Sequence, residues 1–554
     1  MRRPLYWLLL QMVVAVLAAA AVRVQAADYF VAPSGSSDAN SGSIDSPFAT
    51  FTKAISVAQA GDTIYARGGT YGLSTTVSIS GSKSGTALNP IRLFAYPGEA
   101  PILDFRGQPY NNSNSGMKGI TLNGSYWHLK GLTIQYAADN GIAIGGSNNV
   151  VEQVVSRQNQ DSGFQISGSN RPANNLILNC DSYGNFDFGA GGENADGFAI
   201  KFRDLGPGNV VRGARAWENA DDGFDFWEAA NGVTVVDSWV FHNGIASVFN
   251  NPGGFSGDGN GVKLGKDSGT HALRNLLVWG HPANGVDVNG NATELQTTPA
   301  IPHGVTVYQV TAANNNRNFR FDENPTQANP PTNHILRNNV SFGGTGVTIN
   351  PGNTVDHNTF AGPGGSPAGL GVSAADFIST LDPVLTPGSY RPAGSGGDRD
   401  GTTTPIHATG PAVGPRLADG SLPMLDFLRL APGSHLIDAG VDVGLPYNGL
   451  APDLGWWESA APGPALPGDY NGDNVVDAAD YTVWRNALHS TTSLPNDETP
   501  GSVDLEDYEV WKAHFGQSLP ANGAAAFGIA VPEPISLVLC VIAGIAAASC
   551  RARR

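Results

Sequence analysis

The chain is poor in cysteine, in charge and above all in lysine. Three cysteines among 554 residues cannot staple a chain of this length, and Cys180 is the only one before the extreme C-terminus, so a disulfide scaffold is excluded. Charged residues make up 14% of the sequence, and between Lys201 and Lys512 the only lysines are Lys263 and Lys266. Long apolar runs occur at the two ends alone, and no G-X-Y period orders the 71 glycines, which excludes collagen. Against these shortages stand 37 prolines, the many glycines and 41% apolar residues. That is enough to bury a real core, so wholesale disorder is excluded too. The pattern is one of many short strands joined by turns, in a chain long enough for two or more folded units.

The formal net charge is −17, from 31 Lys+Arg against 48 Asp+Glu. An acidic chain repels nucleic acid and anionic lipid, which excludes both as partners. It should also repel a polyanionic sugar unless a cation stands between them. At the N-terminus, Arg2-Arg3, an apolar run from Leu5 to Val22 and the small-residue site Val24-Gln25-Ala26 read as a secretory signal over residues 1–26. A retained anchor is the alternative. At the C-terminus, Val531-Pro-Glu-Pro534 precedes an apolar stretch from Ile535 to Cys550 and the basic Arg551-Ala-Arg-Arg554. That stretch is shorter than the ~20 residues that span a bilayer comfortably, and its basic end favours the cytoplasmic side. The order of residues 531–554 resembles the PEP-CTERM sorting signal of some Gram-negative bacteria. It implies a secreted or cell-surface protein whose tail is processed during export, with permanent anchoring by this segment as the alternative.

Between the ends a five-residue phrase recurs: polar, Gly, apolar, variable, apolar. It reads Asn140-Gly-Ile-Ala-Ile144, Ser162-Gly-Phe-Gln-Ile166, Asp196-Gly-Phe-Ala-Ile200, Asp222-Gly-Phe-Asp-Phe226, Asn260-Gly-Val-Lys-Leu264, Asn284-Gly-Val-Asp-Val288, Arg317-Asn-Phe-Arg-Phe321 and Thr345-Gly-Val-Thr-Ile349. Glycine-to-glycine spacings of 22 (141 to 163), 26 (197 to 223) and 24 (261 to 285) mark a solenoid. Each unit holds only short strands and turns, so the coils are those of a parallel β-helix, and the fold class is all-β. Glycine is expected to open each phrase because the turn needs φ > 0, with Asn318 tolerating that place once.

Alternation sends the two apolar residues inward and the variable one outward. Coils about 4.8 Å apart then turn the variable position into a column: Ala143, Gln165, Ala199, Asp225, Lys263, Asp287, Arg320, Thr348. By itself such a column could be a solvated face of alternating charge. The residue before glycine adds Asp196 and Asp222, with Asp221 beside the second, so four carboxylates crowd one patch. Like charges that close need something positive between them, and oxygen-only ligands of this number suit Ca²⁺. Insertions at 184–193 and 246–259 border this face and would make it a cleft. Asn159, Asn219 and Asn314, each four residues before the turn position, suggest a stacked asparagine ladder. His242, His281 and His303 have no metal-ligand spacing and read as turn or core residues.

At these residues the sequence resembles polysaccharide lyase family 9, the calcium-dependent pectate lyases with a right-handed parallel β-helix. The matching segments are Asn194-Ala-Asp-Gly-Phe-Ala-Ile-Lys-Phe202, Asn219-Ala-Asp-Asp-Gly-Phe-Asp-Phe-Trp227 and Gly259-Asn-Gly-Val-Lys-Leu-Gly265. Asp28-Tyr-Phe-Val-Ala-Pro33 and Gly61-Asp-Thr-Ile-Tyr65 resemble the opening of such β-helices, and the likeness covers roughly residues 28–350. The stretch Asp426 to Glu458 is similar to the tail that closes many secreted β-helix proteins, which extends the β-helix domain over 27–458. The resemblance implies that Asp196, Asp221, Asp222 and Asp225 bind Ca²⁺ and that Lys263 is the base in β-elimination of homogalacturonan, with an alkaline optimum. Arg320 would grip a substrate carboxylate or pair with Asp287. A lyase for alginate or a glycosaminoglycan, and a non-catalytic adhesion protein of the same fold, are the other readings.

A linker, 459–467, leads to a second module over 468–517. Asp469, Asn471, Asp473, Val475 (through its carbonyl), Asp477 and Asp480 stand at the positions of an EF-hand-type calcium loop. With a helix Tyr481 to Leu488 they resemble half of a type I dockerin, which implies a cohesin-type protein partner. A second half follows 27 residues later at Asp504 and Asp507, where Asn496, Glu498 and Pro500 make calcium doubtful. A further linker, 518–530, leads to the sorting segment.

Overall fold

Short β-branched and aromatic runs, broken by asparagine, glycine and serine, form three parallel sheets that the chain visits in turn. One sheet has 12 strands, from Asp28–Val31 to Thr354–Asp356; the others have 10 each, from Val77–Ile79 to Val347–Ile349 and from Gly69–Gly72 to Val340–Phe342. The computed structural model describes residues 26–110, 116–250, 254–265, 269–289, 304–322, 334–391, 398–459, 466–471, 475–491, 494–496 and 502–518. The expected secretory signal up to residue 25, the sorting segment 531–554, Asp473, Glu498, Pro500 and His303 lie outside these residues, as do 460–465 and 519–530 of the linkers. Among the described residues no helix is long and apolar enough to cross a membrane.

The repeated phrase forms the second sheet, and its register is the one expected. Ala143 pairs with Gln165, Gln165 with Ala199, Ala199 with Asp225, Asp225 with Lys263, Lys263 with Asp287, Asp287 with Arg320 and Arg320 with Thr348. The flanking apolar residues, including Phe164, Phe198, Phe224 and Val262, are fully buried in one continuous core. Stacked rings run through it, with centroids 4.8 Å apart for Phe164–Phe198 and 4.9 Å for Phe198–Phe224. The helix Phe51–Val57, capped by the Thr50 side chain, buries Phe51, Ala54 and Ile55 in the same core near its N-terminal end. An earlier coil carries the phrase as well, Lys118-Gly-Ile-Thr-Leu122, with Ile120 against Ile142.

The glycines of the phrase are there for a different reason than the one expected. Gly141, Gly163, Gly197, Gly223, Gly261 and Gly285 do not adopt positive φ; of the phrase glycines only Gly346 does, at 104°. What excludes a side chain is crowding: a Cβ on Gly223 would lie 2.2 Å from Val240 Cγ1 and 2.6 Å from the Gly261 carbonyl oxygen of the next coil. Asn318, also free of positive φ, is admitted because its own Oδ1 accepts from Asn315 Nδ2 at 3.0 Å.

That bond ends a ladder. Side-chain amides link Asn159 to Asn185 (2.9 Å), Asn185 to Asn219 (2.7 Å) and Asn219 to Asn243 (2.9 Å). His281 then takes the next rung, accepting from Asn243 at Nε2 (3.1 Å) and reaching Asn315 Oδ1 from Nδ1 (2.8 Å), which fits a neutral ring protonated on Nδ1. Asn314 is not a rung: Asn315 is, and Asn314 holds the left-handed residue beside it, with φ 53°. Burial drives the His281 pKa down to about 3, against a bond to Asn315 that favours the cation.

Outside the core, the third sheet carries a second aromatic column, Tyr183–Trp217–Phe241–Trp279, with centroids 4.2, 5.7 and 4.3 Å apart. The chain after the last coil covers it, packing Phe377, Tyr390, Phe427, Leu436 and Trp456 against these rings. Asp181, between Arg215 (2.7 Å) and Arg416 (2.6 Å), ties that tail to the coils.

The structure divides into two units, Met1–Val443 with Leu450–Ser459, and Ala460–Arg554 with Gly444–Gly449. In the second unit the helices are Ala478–Ala487 and Leu505–His514, the first beginning three residues before the expected Tyr481. Each opens on an Asp capping box, Asp477 with Asp480 and Asp504 with Asp507. The halves exchange indole bonds: Trp484 Nε1 donates to the Asp504 carbonyl at 2.7 Å and Trp511 Nε1 to the Asp477 carbonyl at 2.8 Å.

Two outcomes test this account. Gly223→Ala should cost about 1–3 kcal/mol by overpacking, and Gly223→Asn should cost more, read from denaturant unfolding; a tolerated Gly223→Asn would restore the positive-φ explanation. His281 stays neutral when folded but binds a proton below about pH 6.5 when unfolded, so its contribution is lost as pH falls. His281→Asn should therefore remove roughly 2–3 kcal/mol of the stability lost between pH 7 and pH 4.5, measured by the same method.

Candidate metal and substrate site

Strand register brings the acidic residues together. Asp196 and Asp222 precede the glycines of neighbouring coils, and the Gly197 amide donates to the Asp222 carbonyl at 2.9 Å. Asp225 and Lys263 are direct partners in the ladder. Asp221 anchors both insertions: its Oδ1 accepts from the Asp258 amide (2.6 Å) and its Oδ2 from the Asn194 amide (3.0 Å). The two insertions also touch each other, the Ser256 amide donating to the Gly191 carbonyl at 2.9 Å.

The cluster is consequently dry. Asp196, Asp221, Asp222 and Asp225 are at most 2% exposed, and Lys263 is 5% exposed. Lys263 points out of its coil as alternation requires, but the Asp258-bearing loop covers it, so it is no solvent-facing side chain. Its Nζ lies 2.8 Å from Asp258 Oδ2, 3.1 Å from Asp222 Oδ2 and 5.3 Å from the centre of the Trp227 ring. Lys201, 8% exposed, reaches the cluster from the neighbouring coil, with Nζ 3.0 Å from Asp196 Oδ2 and 2.8 Å from Asp225 Oδ2.

Burial and mutual repulsion set the protonation. Desolvation drives Asp196 up to about 8, with Lys201 opposing and Asp225 and Asp222 reinforcing it. Asp222 is pushed up to about 6 by burial, with Lys263 opposing, and Asp221 rises well above the carboxylate range by burial and the charges of Asp222 and Asp196. Asp225 alone falls: burial opposes its charge, but Lys201 and Lys263 outweigh it. Burial also opposes the Lys263 ammonium, yet Asp222, Asp225, Asp221 and Asp258 together hold its pKa well above the ordinary lysine value.

The donor set fits a hard divalent cation. One oxygen each from Asp196, Asp221 and Asp222 lie within 4.8 Å of one another, all buried. Among the described residues, Asp222 Oδ2 is buried with no hydrogen-bond donor assigned to it, and the Lys263 ammonium lies 3.1 Å away. A divalent cation would relieve the mutual repulsion of these oxygens. Glu193, Asp221 and Asp258 form a second group, more open to solvent.

With this geometry in view, the comparisons with known proteins are consistent. Residues 29–343 match the family described as Pel9A-like, right handed beta helix region. Pectate lyase L of Dickeya chrysanthemi is 33% identical over 78% of this chain and 90% of its own. Pectate lyase L of Paenibacillus polymyxa (strain SC2) is 35% identical over 77% of this chain and 86% of its own. The solved structure of pectate lyase Pel9A superposes with a TM-score of 0.64 at 31% identity, over 78% of this chain and 96% of that one. A rhamnogalacturonan lyase structure gives a TM-score of 0.57 at 26% identity, over 73% of this chain and 96% of that one. The chain belongs to the Pel9A-like right-handed β-helix family. It is a polysaccharide lyase.

The remaining sequence-derived residues are placed as follows. Arg320 lies in ion pairs, 3.4 Å from Asp287 Oδ2 and 2.9 Å from Asp322 Oδ1. In the second unit Asp469 and Asp480 are buried. Asp480 accepts from the amides of Asn471 (2.9 Å) and Asp477 (2.8 Å), and Asp477 caps its helix through the Ala479 amide (2.6 Å), while Val475 bridges Ser518. Sequence reading missed Lys201, Trp227 and Asp258 as members of the site. The first two were within reach, since each stands two residues after a member of the outward column, Ala199 or Asp225, and so shares its face. Asp258 sits on an insertion, whose path no periodicity gives.

The raised carboxylates make a pH prediction for the metal-free protein. Folded, they bind protons that the unfolded chain releases above about pH 4, so stability falls as pH rises toward 8. The two lysines, with raised pKa values, stay charged throughout that window. Thermal melts in chelator should show a lower midpoint at pH 8 than at pH 5, and added calcium should abolish the difference; equal chelated midpoints would contradict the buried-cluster account.

Proposed function

We propose that the protein is a secreted, calcium-dependent pectate lyase that cleaves homogalacturonan by β-elimination, with Lys263 as the base. The observation that carries this is the buried Lys263, a direct ladder partner of Asp225 in a buried four-aspartate cluster, at the centre of a fold shared with pectate lyases. Calcium bound by Asp196, Asp221, Asp222 and Asp225 would neutralise a uronate carboxylate and stabilise negative charge developing on it.

The chain's own groups account for the rest. The neutral Lys263 amine takes the C5 proton of the uronate at the cleavage point. The C5–H electron pair forms the C4–C5 double bond as the C4–O4 bond breaks. The glycosidic oxygen leaves with that bond's electrons, still attached to the anomeric carbon of the neighbouring sugar, and takes up a proton from solvent. Lys263 must first lose the proton that its carboxylate neighbours hold on it. Once those carboxylates face a cation, burial favours the neutral amine, and an alkaline optimum follows. The loops bearing Asp258 and Asn194 keep water from the cluster, which strengthens each of these interactions. Arg320, two coils further along the column, is held by Asp287 and Asp322, an arrangement that supports a pairing role ahead of a substrate contact.

The other expectations belong to the same reading. The N-terminal signal and C-terminal sorting segment support export to the outside or surface of a Gram-negative-type cell. The duplicated, Asp-capped helices, with Asp469, Asn471, Asp473, Val475, Asp477 and Asp480 in a calcium-loop pattern, support a dockerin-like module with a cohesin-type partner.

The test follows the ultraviolet absorbance of unsaturated product from polygalacturonate, rhamnogalacturonan, alginate and chondroitin, with calcium or chelator. Signal is expected on polygalacturonate only with calcium, rising with pH. Lys263→Ala should lower the rate by about 10²–10⁴-fold or more, with thermal melts verifying that the variant folds. Signal on another polymer alone would reassign the substrate, and turnover that survives complete chelation would remove calcium from the mechanism.

A further inference from the structure

Lys201 is the second cation of the carboxylate cluster, and the lyase chemistry leaves it without a task. It follows the strand Phe198–Ile200, two residues beyond Ala199, so alternation turns it to the same outward face as Asp225 and Lys263. Its ammonium is buried and bridges Asp196 Oδ2 at 3.0 Å and Asp225 Oδ2 at 2.8 Å, carboxylates from neighbouring coils. The Phe202 ring lies 5.7 Å from Nζ to its centre, and the Asp161 carboxylate also acts on the ammonium. A bridge of this kind on the surface would contribute little. Buried, its removal would strand two carboxylates without compensation, which is costly.

We infer that Lys201 is a built-in counter-ion that holds Asp196 and Asp225 together while no metal is bound and weakens the cluster's grip on calcium; this rests on the calcium reading above. The geometry supports it: Lys201 occupies carboxylate oxygens of Asp196 and Asp225 that would otherwise face each other unpaired across neighbouring coils. Asp196 belongs to both arrangements. It is one of the three aspartates whose oxygens lie close enough to share an ion, and it is also an anchor of the Lys201 ammonium. A cation entering among Asp196, Asp221 and Asp222 therefore meets a like charge already in place. The two lysines differ in place: Lys263 pairs with Asp222 and with Asp258 of the insertion, whereas Lys201 bridges two carboxylates of neighbouring coils.

The experiment uses the full chain, titrated with calcium chloride by isothermal calorimetry and melted in chelator. Lys201→Met should lower the chelated melting midpoint, recover it on adding calcium, and tighten the calcium Kd by roughly tenfold or more, as expected for removing a like charge a few ångströms away at an effective dielectric of about 20. Lys201→Arg, which keeps the charge, should leave both values near those of the wild type. Lys201→Gln carries the same expectations as Lys201→Met if the latter does not fold. A Kd that is unchanged or weaker in the uncharged variants overturns the inference and leaves the calcium reading standing. A wild-type protein that takes up no calcium overturns both.

Discussion

Stacking near-identical turns about 4.8 Å apart places every residue of a coil beside the residue at the same position in the next. A residue type repeated in the sequence becomes a column in space, and each column must be of a kind that tolerates its own company. Phenylalanine does, so Phe164, Phe198 and Phe224 stack through the core. Asparagine does, since its amide both donates and accepts, and the rungs from Asn159 to Asn315 satisfy one another in a buried turn. Glycine does where the ladder and the next coil's carbonyl leave no room for a Cβ. Aspartate does not. Asp196 and Asp222 repeat at one position and repel, and that intolerance is what gives the site its chemistry.

The same constraint explains how far the sequence could be read. The column from Ala143 to Thr348 follows from alternation and the recurring five-residue phrase, so its register was legible residue by residue in spite of the insertions. The reason for the glycines was not, because positive φ and lack of space leave the same mark in a sequence. Asn314 and Asn315 differ by one place, and only the turn geometry decides which is the rung. His281 could not be recognised as a rung while asparagine was the pattern sought, although its ring offers the same donor and acceptor pair. The walls of the site lie on insertions, where the repeat lapses and periodicity no longer informs; the bond from the Asp258 amide to Asp221 is visible only in three dimensions.

Shortage of lysine acquires a physical meaning once the cluster is seen. The two lysines in the site are those that meet its carboxylates, and each is tied to two of them. An acidic protein that must hold an acidic polymer cannot do so by surface attraction. It concentrates positive charge at one place in Lys201 and Lys263, to which the cation proposed above would add. The −17 net charge is then compatible with a polyanionic substrate, because the field that matters is local: at a buried cluster it is set by a few charges a few ångströms apart, whereas distant surface charges are screened.

Burial makes that arrangement work in both directions. A solvated cluster would relax by hydrating its aspartates, and it would bind a cation weakly. Closed over by the loops that Asp221 anchors, the carboxylates have three ways to be relieved: take up protons, pair with lysine, or take up a metal. The first is the state toward which desolvation pushes Asp196 and Asp222, the second is what Lys201 and Lys263 supply, and the third frees Lys263 from the carboxylates that hold its proton. On the reading proposed above, metal binding and activation of Lys263 would be linked through the same oxygens, since whatever engages Asp222 weakens its hold on the lysine 3.1 Å away. The coil spacing that forces the aspartates together would therefore also couple a bound cation to the protonation of Lys263.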